Sequence, residues 1–122
     1  MPEPPAASIQ VEGGDPVVGE LGGFTWKNGG SAAPWLPGAP IHIGSSERVT
    51  LTLADPVGIA NWTASYVPAT DLDSIAPLGL GEGAGGPVTF GAPPPGRWSV
   101  HVGVWFADNE GDAAYFWLVE VD

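Results

Sequence analysis

Two runs decide the fold of this 122-residue chain: RWSVHVGVWF at residues 97–106 and AAYFWLVEV at residues 113–121. In each run apolar side chains recur at every second position, which is typical of β-strands with one buried face. The polar run ADNEGD at residues 107–112 separates them and is rich in turn-forming residues. The sequence therefore predicts a long antiparallel hairpin.

Hydrophobic matching predicts the register of this hairpin, because a strand with one buried face tolerates no slip by a single residue. The predicted pairs on the buried face are Phe106 with Ala113, Val104 with Tyr115, Val102 with Trp117, Val100 with Val119 and Trp98 with Val121. The opposite face pairs Gly103 with Phe116, whose ring can cover the bare glycine backbone.

The rest of the chain predicts further short strands, divided by turns rich in Gly and Pro. The predicted strands are residues 8–11, 17–21, 24–27, 48–53, 59–67 and 88–90, with turns at Asn28-Gly29-Gly30 and Asp55-Pro56. Residues 31–40 and 68–86 predict no regular element. This pattern is typical of an all-β sandwich or barrel. Its predicted core includes Val49, Leu51, Leu53, Trp62, Tyr66, Trp98, Val100, Val102, Val104, Tyr115, Trp117 and Val119.

Composition and charge exclude several classes of function. Fourteen acidic residues against three basic ones give a net charge of −11. Nucleic acids and anionic membrane surfaces both require a basic footprint, so neither is an expected partner. The absence of cysteine excludes disulfides, thiol catalysis and Cys-ligated metal sites. The 19 glycines and 14 prolines argue against a helical bundle.

Three aromatic residues are candidate ligand-binding residues: Trp35, Trp105 and Phe116. Trp105 and Phe116 share the second face of the hairpin with His101, and Trp35 lies in a Pro-rich segment. If exposed, these rings form an apolar platform for a sugar or a protein. The alternative is that a neighbouring strand or the long loop covers them, which makes them packing residues.

The segment Asp108-Asn109-Glu110-Gly111-Asp112 contains three carboxylates, which are the ligands that Ca²⁺ prefers. However, these residues are also the ordinary ones of a hairpin turn, and the distal Glu of a calcium loop is absent. The two imidazoles, His42 and His101, accompany no Gly-x-Ser-x-Gly nucleophile motif and are expected to be structural. We therefore expect no catalytic residue, no metal site and no cofactor.

Three stretches together are similar to a group of uncharacterised bacterial exported or lipid-anchored envelope proteins. They are residues 22–26 (GGFTW), residues 33–37 (APWLP), and the hairpin from residues 95–98 (PGRW) through 106–108 (FAD) to 111–117 (GDAAYFW). The resemblance implies a Pro-rich tether followed by one immunoglobulin-like, Greek-key, antiparallel β-sandwich of about seven or eight strands. It assigns no functional residues. Accordingly, we expect a partly disordered tether at residues 1–7, which lacks the features of a signal peptide, and one domain at residues 8–122.

The expected function is that of a non-catalytic module outside the cytoplasm, on the bacterial cell surface or secreted, for binding or structural display. Its partner would be a protein or a glycan, the domain itself would not insert into a membrane, and it would be a monomer. One alternative is a carbohydrate-binding or accessory domain of a secreted enzyme. Another is an enzyme that uses the carboxylates of residues 108–112, which requires a cleft that brings a second titratable group beside them.

Overall fold

Two β-sheets enclose one hydrophobic core in this protein, whose computed structural model describes residues 4–27, 29–55, 57–74 and 76–122. The described residues contain the strands β1 (Ala7–Val11), β2 (Val17–Val18), β3 (Glu20–Trp26), β4 (Gly29–Ser31), β5 (Ala39–Ile43), β6 (Arg48–Leu53), β7 (Ile59–Pro68), β8 (Leu78–Ala84), β9 (Val88–Gly91), β10 (Gly96–Phe106) and β11 (Gly111–Val121). A 3₁₀ turn at Ala107–Asn109 joins the last two strands. Among all the residues that the structure describes, no helix is long and apolar enough to cross a membrane.

The smaller sheet has the strand order β2-β1-β6-β9, and the larger sheet has the order β4-β3-β11-β10-β7-β8. All of these neighbours are antiparallel. Strand β5 lies off this path and runs parallel to the second half of β11, while β3 pairs with the first half. The structure is therefore all-β with two mainly antiparallel sheets, as the alternating runs predict.

The core lies between the sheets, where the inward side chains of both meet. Ten of the twelve predicted core residues are buried, and the other two, Leu53 and Trp98, are partly buried and pack against the core. The prediction did not name several buried residues from short or irregular runs: Ala7, Ile9, Trp26, Ile43, Val88 and Phe90.

The long hairpin forms with the predicted faces, but the predicted partners are wrong by two residues. The observed pairs are Val104 with Ala113, Val102 with Tyr115, Val100 with Trp117 and Trp98 with Val119, and Gly103 faces Ala114 rather than Phe116. The register differs from the prediction because β11 also pairs with strand β3. Residues 111–113 pair with residues 24–26 of β3, so β11 begins inside the expected loop. The hairpin pairing ends at Trp105, whereas Phe106 pairs with Ile59 of β7 after a register shift, and its ring packs edge-on against Trp26 at 5.0 Å between centroids.

Several other expectations need correction. Strand β8 lies within residues 68–86, and β4 and β5 reach into the two ends of residues 31–40. Strand β3 runs without interruption from the end of the predicted strand 17–21 into the predicted strand 24–27. The strands of the described residues outnumber the expected seven or eight. Strand β8 forms despite its glycines because they make room for Trp62: a Cβ on Gly83 would lie 2.8 Å from Trp62 Nε1. Asn28 and Pro56 of the expected turns lie outside the described residues.

The sandwich begins before Ser8, the expected boundary of the domain. Strand β1 starts at Ala7, and Pro4 and Pro5 are buried. The Tyr115 hydroxyl donates a hydrogen bond to Pro5 O at 2.6 Å. Residues 1–3 of the expected tether lie outside the described residues.

Candidate functional site

The outer face of the larger sheet has one covered half and one open half. Residues 32–38 lie across the covered half. There the Trp35 ring packs on Phe116 and on His101, with centroids 5.7 and 5.2 Å apart. Trp35 Nε1 donates to the buried Ser99 hydroxyl at 2.8 Å, and this hydroxyl donates to Leu36 O. The segment is thus fastened to the sheet.

Because residues 32–38 cover only half of this face, the three aromatic candidates differ in exposure. Phe116 is only 3% exposed, because Trp35 lies against it and Gly22 leaves space for its ring. Trp35 is half-buried, whereas Trp105 is 40% exposed. The structure therefore places Phe116 among the packing residues and leaves Trp105 as the ring with an accessible face.

Trp105 lies on β10 in the open half, between hydrogen-bonding neighbours. It pairs with Asn61 of β7 on one side and with Asp112 of β11 on the other. Next on the same face of β10 is Gly103, where a Cβ would lie 3.5 Å from Trp105 Cη2 and 3.2 Å from His101 Cε1. Both rings therefore lean over the bare backbone of Gly103. We call these five residues the Trp105 platform.

Shallow concavities lie on both sides of β10, beside Trp105 and Gly103. One, of about 190 Å³, is bounded by Trp105, His101 and Asp112 and reaches Gly23 of β3. The other, of about 460 Å³, is lined by Thr63 and Ser65 of β7 and by Glu82 and two glycines of β8. Because Thr63 pairs with Gly103, the two concavities adjoin. Five strands from β3 to β8, about 4.8 Å apart, make the whole feature about 19 Å long.

His101 and Asp112 line the same concavity, but they are not arranged as a nucleophile and base. His101 pairs with Phe116, which follows Asp112 by four residues, so the two backbones are about 13 Å apart at the rise of a strand. Burial lowers the pKa of His101, so its imidazole is uncharged at neutral pH. The two groups can contact opposite ends of one ligand.

The acidic segment that sequence analysis singled out forms the tip of the hairpin. Asp108 and Asn109 adopt positive φ angles of 61° and 56°, and Glu110 O accepts a hydrogen bond from the Lys27 backbone N–H at 3.1 Å. Among the residues that the structure describes, no three His, Asp or Glu side chains gather in a way that could hold a metal ion. Asp112 alone of this segment's carboxylates reaches the platform.

Two other surfaces contain polar groups. A concavity of about 660 Å³ on the smaller sheet is lined by Gln10, Val11, Glu12, Ser46, Glu47, Arg48 and Thr50, none of which offers an aromatic face. His42 lies exposed on β5, as expected, and its Nε2 is 2.7 Å from Asp122 Oδ1. Neither surface combines a ring with donors and acceptors as the Trp105 platform does.

Sequence reasoning identified Trp105 but missed Asn61 and Gly103 as parts of a site. Asn61 is an outward residue of a strand run, which by itself resembles many solvated positions. Its place beside Trp105 follows only from the register of β7 against β10. The outward glycine between His101 and Trp105 is the signal that could have indicated a bare patch.

Comparisons with known proteins add no identification. The chain matches no protein-family model, and comparisons with curated proteins and with solved structures gave no match either. The assignment of a function therefore rests on the geometry of the residues themselves.

Proposed function

We propose that this protein is a non-catalytic binding module that works outside the cytoplasm, on the bacterial envelope or secreted, and contacts its partner through the open half of the larger sheet. The observation that carries the proposal is the accessible face of Trp105, which lies on a strand paired on both sides. A ring on such a rigid strand loses little conformational entropy when a partner covers it.

An immunoglobulin-like, Greek-key arrangement is part of this proposal. Strands β1, β6 and β9 share one sheet, and β7, β10 and β11 share the other, in the manner of strands A-B-E and C-F-G of that fold. Trp62 on β7 is buried where such domains hold a tryptophan on strand C. Domains of this kind commonly serve recognition, and the resemblance to exported envelope proteins supports the same address.

The experiment is co-sedimentation of the purified domain with washed bacterial envelope fragments. Trp105→Ala removes the accessible ring. The matched control is Val18→Ala, which removes a 57% exposed apolar side chain from the other sheet. We expect the wild type and the control to sediment with the fragments and Trp105→Ala to remain in solution. Equal behaviour of all three proteins would refute the proposed binding face.

The proposed address has its own test. Protease added to intact cells that produce the full-length gene product should digest this domain while a cytoplasmic marker survives. Protection of the domain until the cells are lysed would contradict a location outside the cytoplasm.

A carbohydrate-binding role is the second candidate function. It is favoured by the neighbours of Trp105, an amide on one side and a carboxylate on the other.

A further inference from the structure

Trp105 has a hydrogen-bonding side chain on each flank. Directly paired residues of neighbouring strands have Cβ atoms about 5 Å apart, so Asn61 and Asp112 both lie within reach of a ligand placed on the indole. Asn61 is exposed and Asp112 is half-buried. Within the described part of the chain neither side chain makes a hydrogen bond or an ion pair. The amide can donate, and the carboxylate can accept.

We propose that the Trp105 platform binds a neutral sugar chain, with one sugar ring stacked on Trp105 and its hydroxyls bound to Asn61 and Asp112. This inference rests on the proposed function of the open half as a binding face, and it names the class of ligand. A sugar ring carries C–H groups on its faces and hydroxyls around its rim. A flat indole with a donor on one side and an acceptor on the other matches both.

The concavities beside β10 give room for the neighbouring sugar units. They extend from Gly23 on β3 past Gly103 to the glycines of β8, across five strands. Small side chains and hydroxyls line much of this path, including Ala114, Thr63 and Ser65, and Glu82 adds a carboxylate opposite Thr63. A chain that crosses the strands would therefore meet mostly small side chains, with hydrogen-bonding groups along its length.

Charge favours a neutral ligand over an anionic one. The three basic residues of the protein lie elsewhere: Lys27 beside Trp26, Arg48 on the smaller sheet and Arg97 beside Glu120. The carboxylate of Asp112 and the net charge of −11 repel anions. His101 offers no compensating positive charge, since its burial disfavours the protonated form.

The platform suits a peptide or a cation less well. The backbone under Trp105 is already paired with β7 and β11, so a peptide cannot add to it as a further strand. A cation would gain from the indole face and from Asp112. However, a cation would make no use of the amide donors of Asn61, whereas a sugar hydroxyl would accept from them.

The experiment is isothermal titration of the purified domain with neutral hexasaccharides: glucans, xylan, mannan and the N-acetylglucosamine polymer. Tetramethylammonium and a short oligolysine serve as cationic probes. We expect at least one hexasaccharide to bind with little dependence on salt, because a neutral ligand is not screened. Trp105→Ala should weaken this binding at least tenfold, and Asn61→Ala about five- to tenfold. Val18→Ala should leave it unchanged.

Asp112→Asn distinguishes the two kinds of ligand. An amide oxygen still accepts a hydrogen bond, so sugar binding should fall about tenfold or less, whereas cation binding should be lost. Sugar binding that Trp105→Ala leaves intact would overturn the site. Binding of only the cationic probes would overturn the ligand class. Failure of every hexasaccharide would overturn the inference too, while Trp105-dependent sedimentation with envelope fragments would still support the proposed function.

Discussion

The Tyr115 hydroxyl ties the last strand to the beginning of the first, and its removal is a sharp test of the packing. It donates to Pro5 O at 2.6 Å, and Tyr115 is 1% exposed. Strand β1 begins two residues after Pro5, at Ala7. Tyr115→Phe removes the hydroxyl and keeps the ring, so the buried Pro5 carbonyl loses its partner.

The expected cost follows from that orphaned carbonyl. A buried acceptor without a partner costs about 1–3 kcal/mol. Pro5 precedes Ala7, the first paired residue of β1, so its carbonyl is not held in the strand ladder and can turn partly toward water; we therefore expect the lower part of this range, about 1–2 kcal/mol. For a domain of this size each kcal/mol lowers the melting temperature by about 4 °C, which gives a fall of about 4–8 °C.

The assay is thermal and urea unfolding followed by circular dichroism, with Tyr66→Phe as the matched control. The Tyr66 ring is also buried, but the described residues provide no hydrogen-bond partner for its hydroxyl. Tyr66→Phe should therefore change the melting temperature by less than about 2 °C, as for a substitution that breaks no contact. Equal melting temperatures for the two variants would refute the assigned role of the hydrogen bond.

Three further predictions concern other parts of the molecule. Gly38 has a φ of 96° and a Cβ there would overlap the Trp117 backbone, so Gly38→Ala should destabilise by about 3 kcal/mol or more in thermal melts. Gly79→Ala, where a Cβ meets nothing within 4 Å, should cost less than about 1 kcal/mol, and equal losses would contradict the packing. Burial lowers the pKa of His101, so the unfolded chain takes up a proton that the folded protein resists; stability should fall as the pH drops below about 6.5. His101→Gln should reduce that fall between pH 7.5 and 5.5, and an unchanged profile would exclude His101 as its cause. Finally, millimolar Ca²⁺ should leave the melting temperature unchanged, whereas a rise would indicate a calcium site at residues 108–112.

The fold was predictable where apolar and polar residues alternate regularly along a long run, as in β10 and β11. Period-2 hydrophobicity assigned the inner and outer faces of β10 and β11, because an error of one residue would bury Glu120. It could not assign the partners, since a shift of two residues keeps every face and changes only the loop. The choice between these registers came from β3, whose pairing with residues 111–113 depends on a contact distant in sequence.

Strand β8 was unpredictable for a different reason. Its run LGLGEGA has three glycines and almost no β-branched character, so intrinsic preference argues against a strand. Its glycines are nevertheless required there, because Gly83 lies against the indole of Trp62. Packing against Trp62, some twenty positions earlier in the chain, thus overrides the low strand preference of this run. The run by itself does not reveal that contact.

The candidate site was predictable only in part. Trp105 stood out as an outward aromatic residue, yet Phe116 matched the same pattern and is covered by Trp35. The difference lies in residues 32–38, which have no periodicity and whose path over the sheet depends on the hydroxyl of Ser99. Irregular segments are placed by such individual contacts, so sequence patterns identify the candidates but not their exposure.

Strand β11 has a consequence for how the chain is made. It pairs with β10 along one side and with β3 and β5 along the other, so three separated stretches between residues 20 and 106 depend on the same eleven residues. During synthesis the larger sheet cannot close before residues 111–121 have left the ribosome, and pairing over such sequence distances is slow. Until that moment the strand edges of β3, β5 and β10 that pair with β11 stay unpaired and accessible to chaperones.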